Sequence, residues 1–307
     1  MAEISVLMAV YNCGKYLKEA VDSIINQTWQ DFEFIIIDDG STDNSLEILN
    51  SYRDPRIKII ANQENRGVAY ARNVGLEHCT SKYVALMDAD DIALPDRLKH
   101  EYEFLENNEN IDGVYAKFRQ MDINGKVMEG EYPNAYYNYK YVKAYMILNN
   151  TIANLTAMFR RRVVEQYHLK YDEKRKIASD FKFWCDFLQY GNIVGIDEVL
   201  CYYRLRNHSL YNNSPIASRI ESERQMQLYN FQQKGFKFSE EEQEILLKIF
   251  GVNGKISSIQ ELVILYEALA KMAKQAVEIG LEYAPEVKIM CKKRFMEKVQ
   301  QADGLWV

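Results

Sequence analysis

The chain has 307 residues, a length that fits one large domain with an appendage or two modest domains. Apolar residues make up 48% and charged residues 27%, which is typical of a folded globular protein and argues against a disordered chain. The 38 basic and 44 acidic residues leave a net charge of −6, which disfavours a nucleic-acid partner because such binding needs clustered Lys and Arg.

Cysteine usage and the distribution of apolar residues indicate the cellular compartment in which the protein is expected. The cysteines are scattered: Cys13, Cys79, Cys185, Cys201 and Cys291. They lack CxxC spacing, so they predict neither a disulfide framework nor a zinc site. The N-terminus runs directly into a strand pattern without the features of a signal peptide, and no stretch reaches the roughly 20 apolar residues of a membrane span. We therefore expect a cytoplasmic protein, either free or peripheral on the inner face of the cell membrane.

From Ile4 to Tyr83 the sequence repeats one pattern: a short apolar run, a polar turn and an amphipathic stretch with helical spacing. The predicted strands are Ile4–Val10, Phe32–Ile37, Ile57–Ala61 and Tyr83–Met87, and the predicted helices are Tyr16–Ile25, Ser45–Tyr52 and Val68–His78. This alternation is typical of βαβ units, so the fold class is α/β with a mixed, mainly parallel sheet flanked by helices. Ligands bind such sheets beyond the carboxyl ends of the strands, where we expect the functional site.

The pattern changes after a further predicted helix at Leu94–Asn107. Gly113–Gln120 and Lys126–Met128 are predicted to form a hairpin, because Asn124-Gly125 between them is a strong turn signal. A tyrosine-rich segment follows, with Tyr132, Tyr136, Tyr137, Tyr139, Tyr141 and Tyr145. It fits an amphipathic core or interface stretch as well as a surface on which sugars stack.

Beyond Pro215 only helical patterns remain. They lie at Ile216–Gln233, Glu240–Phe250, Ile259–Glu278 and Glu286–Gln300. We predict one α/β domain over residues 1–214 and a C-terminal helical region over 215–307, with a role in oligomerisation, acceptor binding or association with a membrane surface.

The last helical pattern is both basic and amphipathic. Val287, Cys291, Phe295 and Val299 recur every four residues, and lysine and arginine residues surround them. A helix of this kind binds an anionic bilayer, a partner subunit or its own domain. Packing on its own domain is the commonest outcome for a surface helix, so we favour it.

Asp88-Ala89-Asp90 follows the apolar run Tyr83–Met87, so both carboxylates leave a buried strand at the ligand-binding edge. Residues two apart in an extended chain point the same way. Two convergent carboxylates suit Mn²⁺ or Mg²⁺, whose other ligands are then substrate phosphates and water. Such a cation stabilises the charge that develops when a diphosphate leaves a sugar. An isolated acidic turn is usually only solvated, but the position after the fourth strand favours a metal site.

Asp38-Asp39 ends the second predicted strand. A carboxylate there can accept hydrogen bonds from a uracil N–H or a ribose hydroxyl. The alternative role is capping of the helix that begins at Ser45. We assign capping to Asp43 or Asn44 and ligand contact to Asp39.

The turn after the first strand tests two other kinds of nucleotide site. It reads Tyr11-Asn12-Cys13-Gly14-Lys15-Tyr16, with a single glycine. A dinucleotide site needs GxGxxG at this place, and an NTPase needs a GxxxxGK[ST] loop, which the sequence lacks. Both functions are therefore disfavoured.

Four segments, taken together and in order, resemble the family 2 glycosyltransferases of GT-A fold. They are Ser5–Asn12, Ile37–Asp43, Asn65-Arg66-Gly67 with Ala71-Arg72-Asn73, and Met87–Asp91. The resemblance covers roughly the first two hundred residues and weakens after Asp91. It implies an inverting, single-displacement transferase that uses a nucleotide sugar, most commonly UDP-linked, with Mn²⁺ or Mg²⁺.

The resemblance also implies roles for individual residues. Tyr11 and Asp39 are expected to contact the uracil and ribose, and Arg66 or Arg72 the nucleotide. Asp88 is expected at the ribose or in the metal shell, and Asp90 on the metal. The full expected donor-binding set is Val10, Tyr11, Asn12, Asp39, Arg66, Gly67, Arg72, Asp88 and Ala89.

Inversion requires a general base within hydrogen-bond reach of the acceptor hydroxyl. The family usually places an Asp, often after Glu, at the start of a helix in the second half of the domain. Ala178–Trp184 resembles that segment, with Ser179 where Glu is common and Asp180 as the candidate base. The alternative is helix capping by Ser179 or Asp180.

The stretch Tyr202–Ser209 resembles the family's late segment with Tyr-Arg and His. By that resemblance His208 completes the metal shell or contacts the diphosphate, with Arg204 or Arg206 nearby. The alternative is a structural histidine, and the sequence leaves both open.

The residues and the resemblance together predict a metal-dependent, inverting glycosyltransferase. It would move a sugar, expected to be a hexose, from a UDP-sugar to a glycan or lipid-linked acceptor during synthesis of a surface polysaccharide, a lipid-linked oligosaccharide or a glycoprotein glycan. The sequence also allows peripheral contact with a membrane and a homo-oligomer formed through the C-terminal helices. The alternative is a catalytically silent nucleotide-sugar-binding subunit, against which intact Asp88, Asp90 and Asp180 argue. A nucleotidyltransferase is disfavoured because no glycine-rich triphosphate loop lies near the first strand.

Overall fold

The computed structural model describes residues 2–133, 135–206, 214–252 and 254–302. The strands are β1 (Ile4–Val10), β2 (Phe32–Asp38), β3 (Ile57–Ala61), β4 (Tyr83–Asp88), β5 (Ile92–Ala93), β6 (Gly113–Met121), β7 (Met158–Arg160) and β8 (Ile193–Arg204). The helices are α1 (Gly14–Ile25), α2 (Ser45–Ser51), α3 (Val68–His78), α4 (Arg97–Asn107), α5 (Tyr139–Tyr145), α6 (Arg161–Gln166), α7 (Ser179–Phe187), α8 (Ile216–Lys234), α9 (Glu240–Phe250), α10 (Ile259–Glu278) and α11 (Ala284–Gln301). The strands and helices predicted for the first 107 residues all form.

These strands make one mixed sheet in the order β3-β2-β1-β4-β7-β6-β8-β5. The pairs β1–β2, β1–β4, β2–β3 and β6–β8 are parallel. β7 is antiparallel to β4 and β6, and β5 is antiparallel to β8. Because β1, β2 and β4 run the same way, the loops that follow Val10, Asp38 and Asp88 lie at one edge of the sheet. The predicted α/β fold with a mixed sheet is confirmed.

The centre of the sheet is buried because its strands are almost continuously apolar. Every residue of β2 is buried, and so are six of the seven residues of β1. A sheet covered on both faces by helices needs such runs, since neither face meets water. α3 approaches β1 closely at Gly75, where an added Cβ would lie 2.0 Å from Leu7 Cδ1. Only glycine permits this approach.

The predicted hairpin around Asn124-Gly125 forms only in part. The turn is present, with Gly125 at φ +85° and the Asp122 N–H donating to the Lys126 carbonyl at 2.9 Å. The predicted second strand is wrong, because Met121 and Val127 form only an isolated bridge. β6 pairs instead along its length with β8.

The chain divides into two compact units. The first comprises Met1–Tyr137 and Ile152–Ser209, and the second comprises Asn138–Thr151 and Leu210–Val307. The tyrosine-rich segment is therefore split, since α5 packs with α11 in the second unit and buries Val142 and Ala144. The predicted boundary between residues 214 and 215 left helix α5 in the N-terminal domain, whereas the structure groups it with the C-terminal helices. As a division into functional domains, the boundary at 214 stays a prediction.

Helices of the second unit carry clear start signals. Ser239 and Glu242 form a reciprocal capping box at α9, and the Ser258 hydroxyl accepts from the Glu261 N–H at α10. In α11, Val287 and Cys291 are buried within the unit, whereas Phe295 is only partly covered. The apolar side of the predicted basic helix thus packs on its own unit. Within the described ranges, no helix combines the length and apolarity needed to cross a bilayer.

Candidate active site at the carboxyl edge of the sheet

Asp88 ends β4 and faces α3, the helix that follows β3. Arg72 of α3 donates from Nη2 to Asp88 Oδ1 at 2.8 Å. The arginine side chain is largely buried, while the carboxylate is about one-third exposed, at 31%. Asp88 therefore has a guanidinium partner and still presents oxygen to the solvent at the sheet edge.

Asp90 lies two residues further and is paired with a different arginine. Its carboxylate forms an ion pair with Arg206 Nε, and both side chains are largely buried. Arg206 also reaches Cys13 Sγ, 3.7 Å from its Nη1, at the start of α1. Burial raises the pKa of Asp90 to about 6; Arg206 opposes this rise and Asp88 adds to it. Asp90 is a buried carboxylate whose charge depends on a nearby cation.

Arg204, the last residue of β8, holds the loop that contains both aspartates. Its N–H donates to Asp91 Oδ1 at 2.8 Å, and its Nε donates to the Asp90 carbonyl at 2.9 Å. The side chain is buried and also contacts Glu19 Oε2 at 2.5 Å. Burial raises the pKa of Asp91 well above its usual range, and Asp90 and Asp88 raise it further. The Asp88-Ala89-Asp90 loop is thus held by a strand more than a hundred residues away.

Asp39 forms a second group of contacts at the same edge. Its Oδ2 accepts hydrogen bonds from the Arg66 and Gly67 N–H groups at 3.1 and 2.7 Å, and its Oδ1 accepts from Asn62 Nδ2 at 2.8 Å. Gly67 has φ +96°, a conformation that favours glycine, and precedes α3. The sequence segments around Asp39 and Asn65-Arg66-Gly67 are therefore in direct contact.

The loop after β1 is shaped by Asn12. Asn12 has φ +50°, and its Oδ1 accepts from the Thr42 and Asp43 N–H groups at 2.8 and 3.3 Å. Tyr11 beside it is exposed, whereas the Val10 side chain is buried. Of these three expected donor residues, Tyr11 presents its side chain to the solvent, and Asn12 organises the loop after β2.

Helix α2 begins close to the predicted place, and its start is tied to α1. Asp43 Oδ1 accepts from the Ser45 N–H at 2.9 Å, and its Oδ2 accepts from the Gly14 N–H at 3.0 Å. Asn44 occupies the N-cap position without a side-chain cap hydrogen bond. Of the two predicted caps, Asp43 therefore makes the hydrogen bonds.

The two arginines expected at the nucleotide differ in position. Arg72 is the partner of Asp88, as described above, and its guanidinium also lies 5.4 Å from the centre of the Tyr171 ring. The Arg66 guanidinium lies 3.6 Å over the Tyr70 ring, and Arg66 is exposed. Arg72 is therefore the arginine placed at the acidic strand end. Ala89, between the two aspartates, is buried.

Asp180 lies in the first turn of α7. The N-cap position is occupied by Ala178, at φ +59°, and Ser179 and Asp180 are the first two residues of the helix. Burial raises the pKa of Asp180; Arg72 opposes this rise, and Asp88 adds to it. Because Arg72 and Asp88 both act electrostatically on Asp180, we infer that these three charged groups lie near one another, although they are distant in sequence.

Tyr171 is the residue that sequence analysis missed. Its ring stacks on Phe183 of α7, with centroids 4.3 Å apart and planes inclined by 6°. Its backbone exchanges two hydrogen bonds with the Asn73 side chain on α3, at 2.8 and 3.0 Å. Tyr171 thereby ties the helix of Arg72 to the helix of Asp180. The signal in the sequence was weak, since a single tyrosine in a loop has no distinctive pattern.

His208, the remaining predicted metal ligand, lies outside the described residues.

The chain belongs to glycosyl transferase family 2, whose model matches residues 5–168. It is 36% identical over 234 residues to an uncharacterized glycosyltransferase of Methanocaldococcus jannaschii, covering 74% of this chain and 77% of the relative. It is 32% identical over 292 residues to an uncharacterized glycosyltransferase of Haemophilus influenzae, covering 91% and 90%. It is 32% identical over 219 residues to the putative teichuronic acid biosynthesis glycosyltransferase TuaG of Bacillus subtilis, covering 70% and 84%. The resemblance to family 2 is thus confirmed.

Two solved structures share the fold. S. aureus TarS 1-349 in complex with UDP-GlcNAc superposes with a TM-score of 0.63 at 20% identity, covering 98% of this chain and 92% of that one. The mannosyltransferase PcManGT of Pyrobaculum calidifontis, in complex with GDP-Man and Mn²⁺, gives 0.58 at 17% identity, covering 98% and 84%. The predicted GT-A-like fold with a C-terminal helical region is confirmed.

Proposed function

We propose that the chain transfers a sugar from a UDP-sugar to an acceptor hydroxyl with inversion at the anomeric carbon. The observation that carries the proposal is the cluster of Asp180, Arg72 and Asp88, which brings a candidate base to the acidic strand end. Family membership supports glycosyl transfer, and TarS, which shares the fold, was solved with UDP-GlcNAc.

The nucleotide end of the donor would bind between Tyr11 and Asp39. The three hydrogen bonds to Asp39 fix the direction of its carboxylate, which favours a contact of defined geometry such as one to a uracil N–H or a ribose hydroxyl. Exposed Tyr11 offers an aromatic face beside it. Asp39 would then select the nucleotide, and Tyr11 would cover it.

The residues at the acidic strand end fit a divalent cation. No described set of three or more His, Cys, Asp or Glu side chains surrounds one point, but Mn²⁺ and Mg²⁺ need only one or two protein carboxylates when phosphates and water complete the shell. Asp88 and Asp90 supply hard oxygen ligands, and the buried Asp91 Oδ2 has no hydrogen-bond partner within the described residues. Asp90, with Asp88, would hold the cation. When bound, the cation would act as a Lewis acid on the departing diphosphate.

Asp180 would act as the base. Its carboxylate accepts the proton of the acceptor hydroxyl while the hydroxyl oxygen forms a bond to the anomeric carbon. The bond to the diphosphate breaks, and its electron pair leaves with the diphosphate oxygen. Burial and Asp88 raise the pKa of Asp180 towards the range in which a carboxylate takes up a proton more readily. Arg72 keeps the ionised form available by opposing this rise.

One relative supports a proposal for the biological setting. TuaG is named as a putative teichuronic acid biosynthesis glycosyltransferase, which supports a glycan acceptor for this chain, and we propose synthesis of a surface polysaccharide. A nucleotide-sugar-binding subunit without activity is the competing function. It would bind donor but release no UDP.

Exchange of Asp180 for Asn tests the proposal. We expect Asp180→Asn to lower the rate of UDP release by about 10²–10⁴-fold, because general-base catalysis contributes a factor of that size. The effect should appear both when the sugar passes to an acceptor and when it passes slowly to water. UDP binding, measured by calorimetry, should persist. The matched control is Asp186→Asn on the same helix, where Asp186 pairs with Lys182 at 2.6 Å and turnover should change by about twofold at most. Full turnover by Asp180→Asn would remove Asp180 from the mechanism, and a wild type that binds donor but never releases UDP would favour the subunit.

A further inference from the structure

Helix α10 carries two apolar stripes. One is buried within the second unit and consists of Leu262, Leu265, Ala268, Leu269, Met272 and Ala276. The other consists of Ile259, Val263, Tyr266, Ala270, Ala273 and Val277, all exposed except Ala273, which is half-buried. Its four large members are 54%, 44%, 58% and 69% exposed, in chain order. We call these six residues the outer stripe.

A surface helix needs only one apolar stripe, because one side packs on the core and the other meets water. The outer stripe is therefore unexplained by the fold of its own unit. Its members are spaced 4, 3, 4, 3 and 4 residues apart, the heptad spacing that keeps one seam facing a partner helix along its whole length. This pattern runs from Ile259 to Val277, nearly the whole length of α10, and indicates a helix as the partner.

We propose that α10 pairs antiparallel with α10 of a second copy of this chain, about a twofold axis near residue 268. In that register Ile259 faces Val277 of the other copy, Val263 faces Ala273, and Tyr266 faces Ala270. Every pair combines a larger with a smaller side chain, or two of middle size, so the seam can fill evenly. A parallel pair would set Tyr266 against Tyr266 and alanine against alanine, which gives crowded and empty layers in turn.

The surroundings of the outer stripe favour a protein partner over an anionic bilayer. Exposed Glu267 borders the stripe, and Lys274 and Glu278 form an ion pair beside it at 3.6 Å. Carboxylates at this place oppose insertion among anionic lipids. α11 widens the apolar surface. The Phe295 ring packs edge-on against the Tyr266 ring, with centroids 5.3 Å apart, and Met296 is 48% exposed.

The length of α10 suits a dimer contact. A 20-residue helix is about 30 Å long, so a paired α10 gives a contact along that distance. The neighbouring residues of α11 enlarge it towards the range of stable interfaces. A twofold arrangement uses the same surface on both copies, as most homodimers do.

The first test is sedimentation equilibrium of the full chain over a concentration series. We expect a monomer–dimer equilibrium for the wild type, and for Val263→Glu a rise in the dissociation constant of about 100-fold or more, because each copy would bury an unpaired carboxylate. Ile220→Glu on α8 is the matched control, since Ile220 is 43% exposed and Val263 is 44% exposed. The control should leave dimerisation unchanged. A wild type that stays monomeric at high concentration, whether or not it sediments with anionic vesicles, would overturn the proposal.

Disulfide trapping tests the register. The natural cysteines are all buried, so single Val263→Cys and Ala273→Cys variants add one accessible thiol each. A mixture of the two should form cross-linked dimers under mild oxidation, while each variant alone should not. Cross-linking of each variant with itself, and none between them, would show a parallel pair. No cross-link in any sample would show that α10 is not the interface.

Discussion

Two groups of carboxylates lie at the same edge of the sheet and are held in different ways. Asp39 accepts its hydrogen bonds from two backbone N–H groups and the Asn62 amide, whose positions the fold fixes. Asp88 and Asp90 are held instead by the side chains of Arg72 and Arg206. A guanidinium on a long side chain can turn to another anion, whereas a backbone amide cannot. The first group suits recognition of a ligand that always binds in the same way. The second suits a place where charged groups, such as a cation and a diphosphate, bind and leave.

The candidate base belongs to the second group. Burial raises the pKa of both Asp90 and Asp180, and Asp88 contributes to both shifts. A carboxylate whose charge is disfavoured by burial and by a neighbouring carboxylate responds strongly to any cation or proton that enters the site. We therefore propose that nucleotide recognition by the Asp39 loop and chemistry at the end of β4 occupy separate places along one edge of the sheet.

Replacement of Asp39 should affect donor binding and leave the chemical step intact. We expect Asp39→Asn to raise the KM for the UDP-sugar by about tenfold, because an amide removes the charge of an acceptor that a ligand donor would use. The value of kcat should hold. Initial rates of UDP release across donor concentrations would measure both. Asp31→Asn, at an exposed position just before β2, is the control, and a fall in kcat at constant KM would break the separation between the two groups.

A smaller effect is expected at Arg206. Its guanidinium competes with any metal for the Asp90 carboxylate, so Arg206→Gln should tighten Mn²⁺ binding in the absence of nucleotide by a few-fold, about 1 kcal/mol. Calorimetry at pH 8 suits this measurement, because Arg206 lowers the pKa of Asp90 and its loss raises the pH needed for ionisation. Arg66→Gln is the control, since Arg66 lies over the Tyr70 ring. Weaker Mn²⁺ binding by Arg206→Gln would mean that the arginine supports the metal site.

Much of the first unit could be predicted from sequence because its signals are local. β1, β2 and β4 are apolar runs, α3 has helical spacing, and parallel topology then places the strand ends together. The contact of Asp39 with Arg66-Gly67 is consistent with this topology, since both lie in loops that follow neighbouring parallel strands.

The rest depends on pairing between distant segments. β5 pairs with β8, and this brings Arg204 to Asp91, 113 residues away. No periodicity in the sequence indicates that pairing. The pairing of β6 with β8 also explains why the predicted second strand of the hairpin is missing. In α10 the heptad is readable in the sequence, but only the structure shows which of its two apolar stripes is buried.

We propose that Asp88 and Asp90 receive a cation together with the diphosphate of the donor. Calorimetric titration of the wild type with UDP, in Mn²⁺ and in excess chelator, tests it most directly. We expect Mn²⁺ to tighten UDP binding by about tenfold or more, and Asp90→Asn to abolish the difference. Equal UDP affinity in Mn²⁺ and in chelator would contradict it.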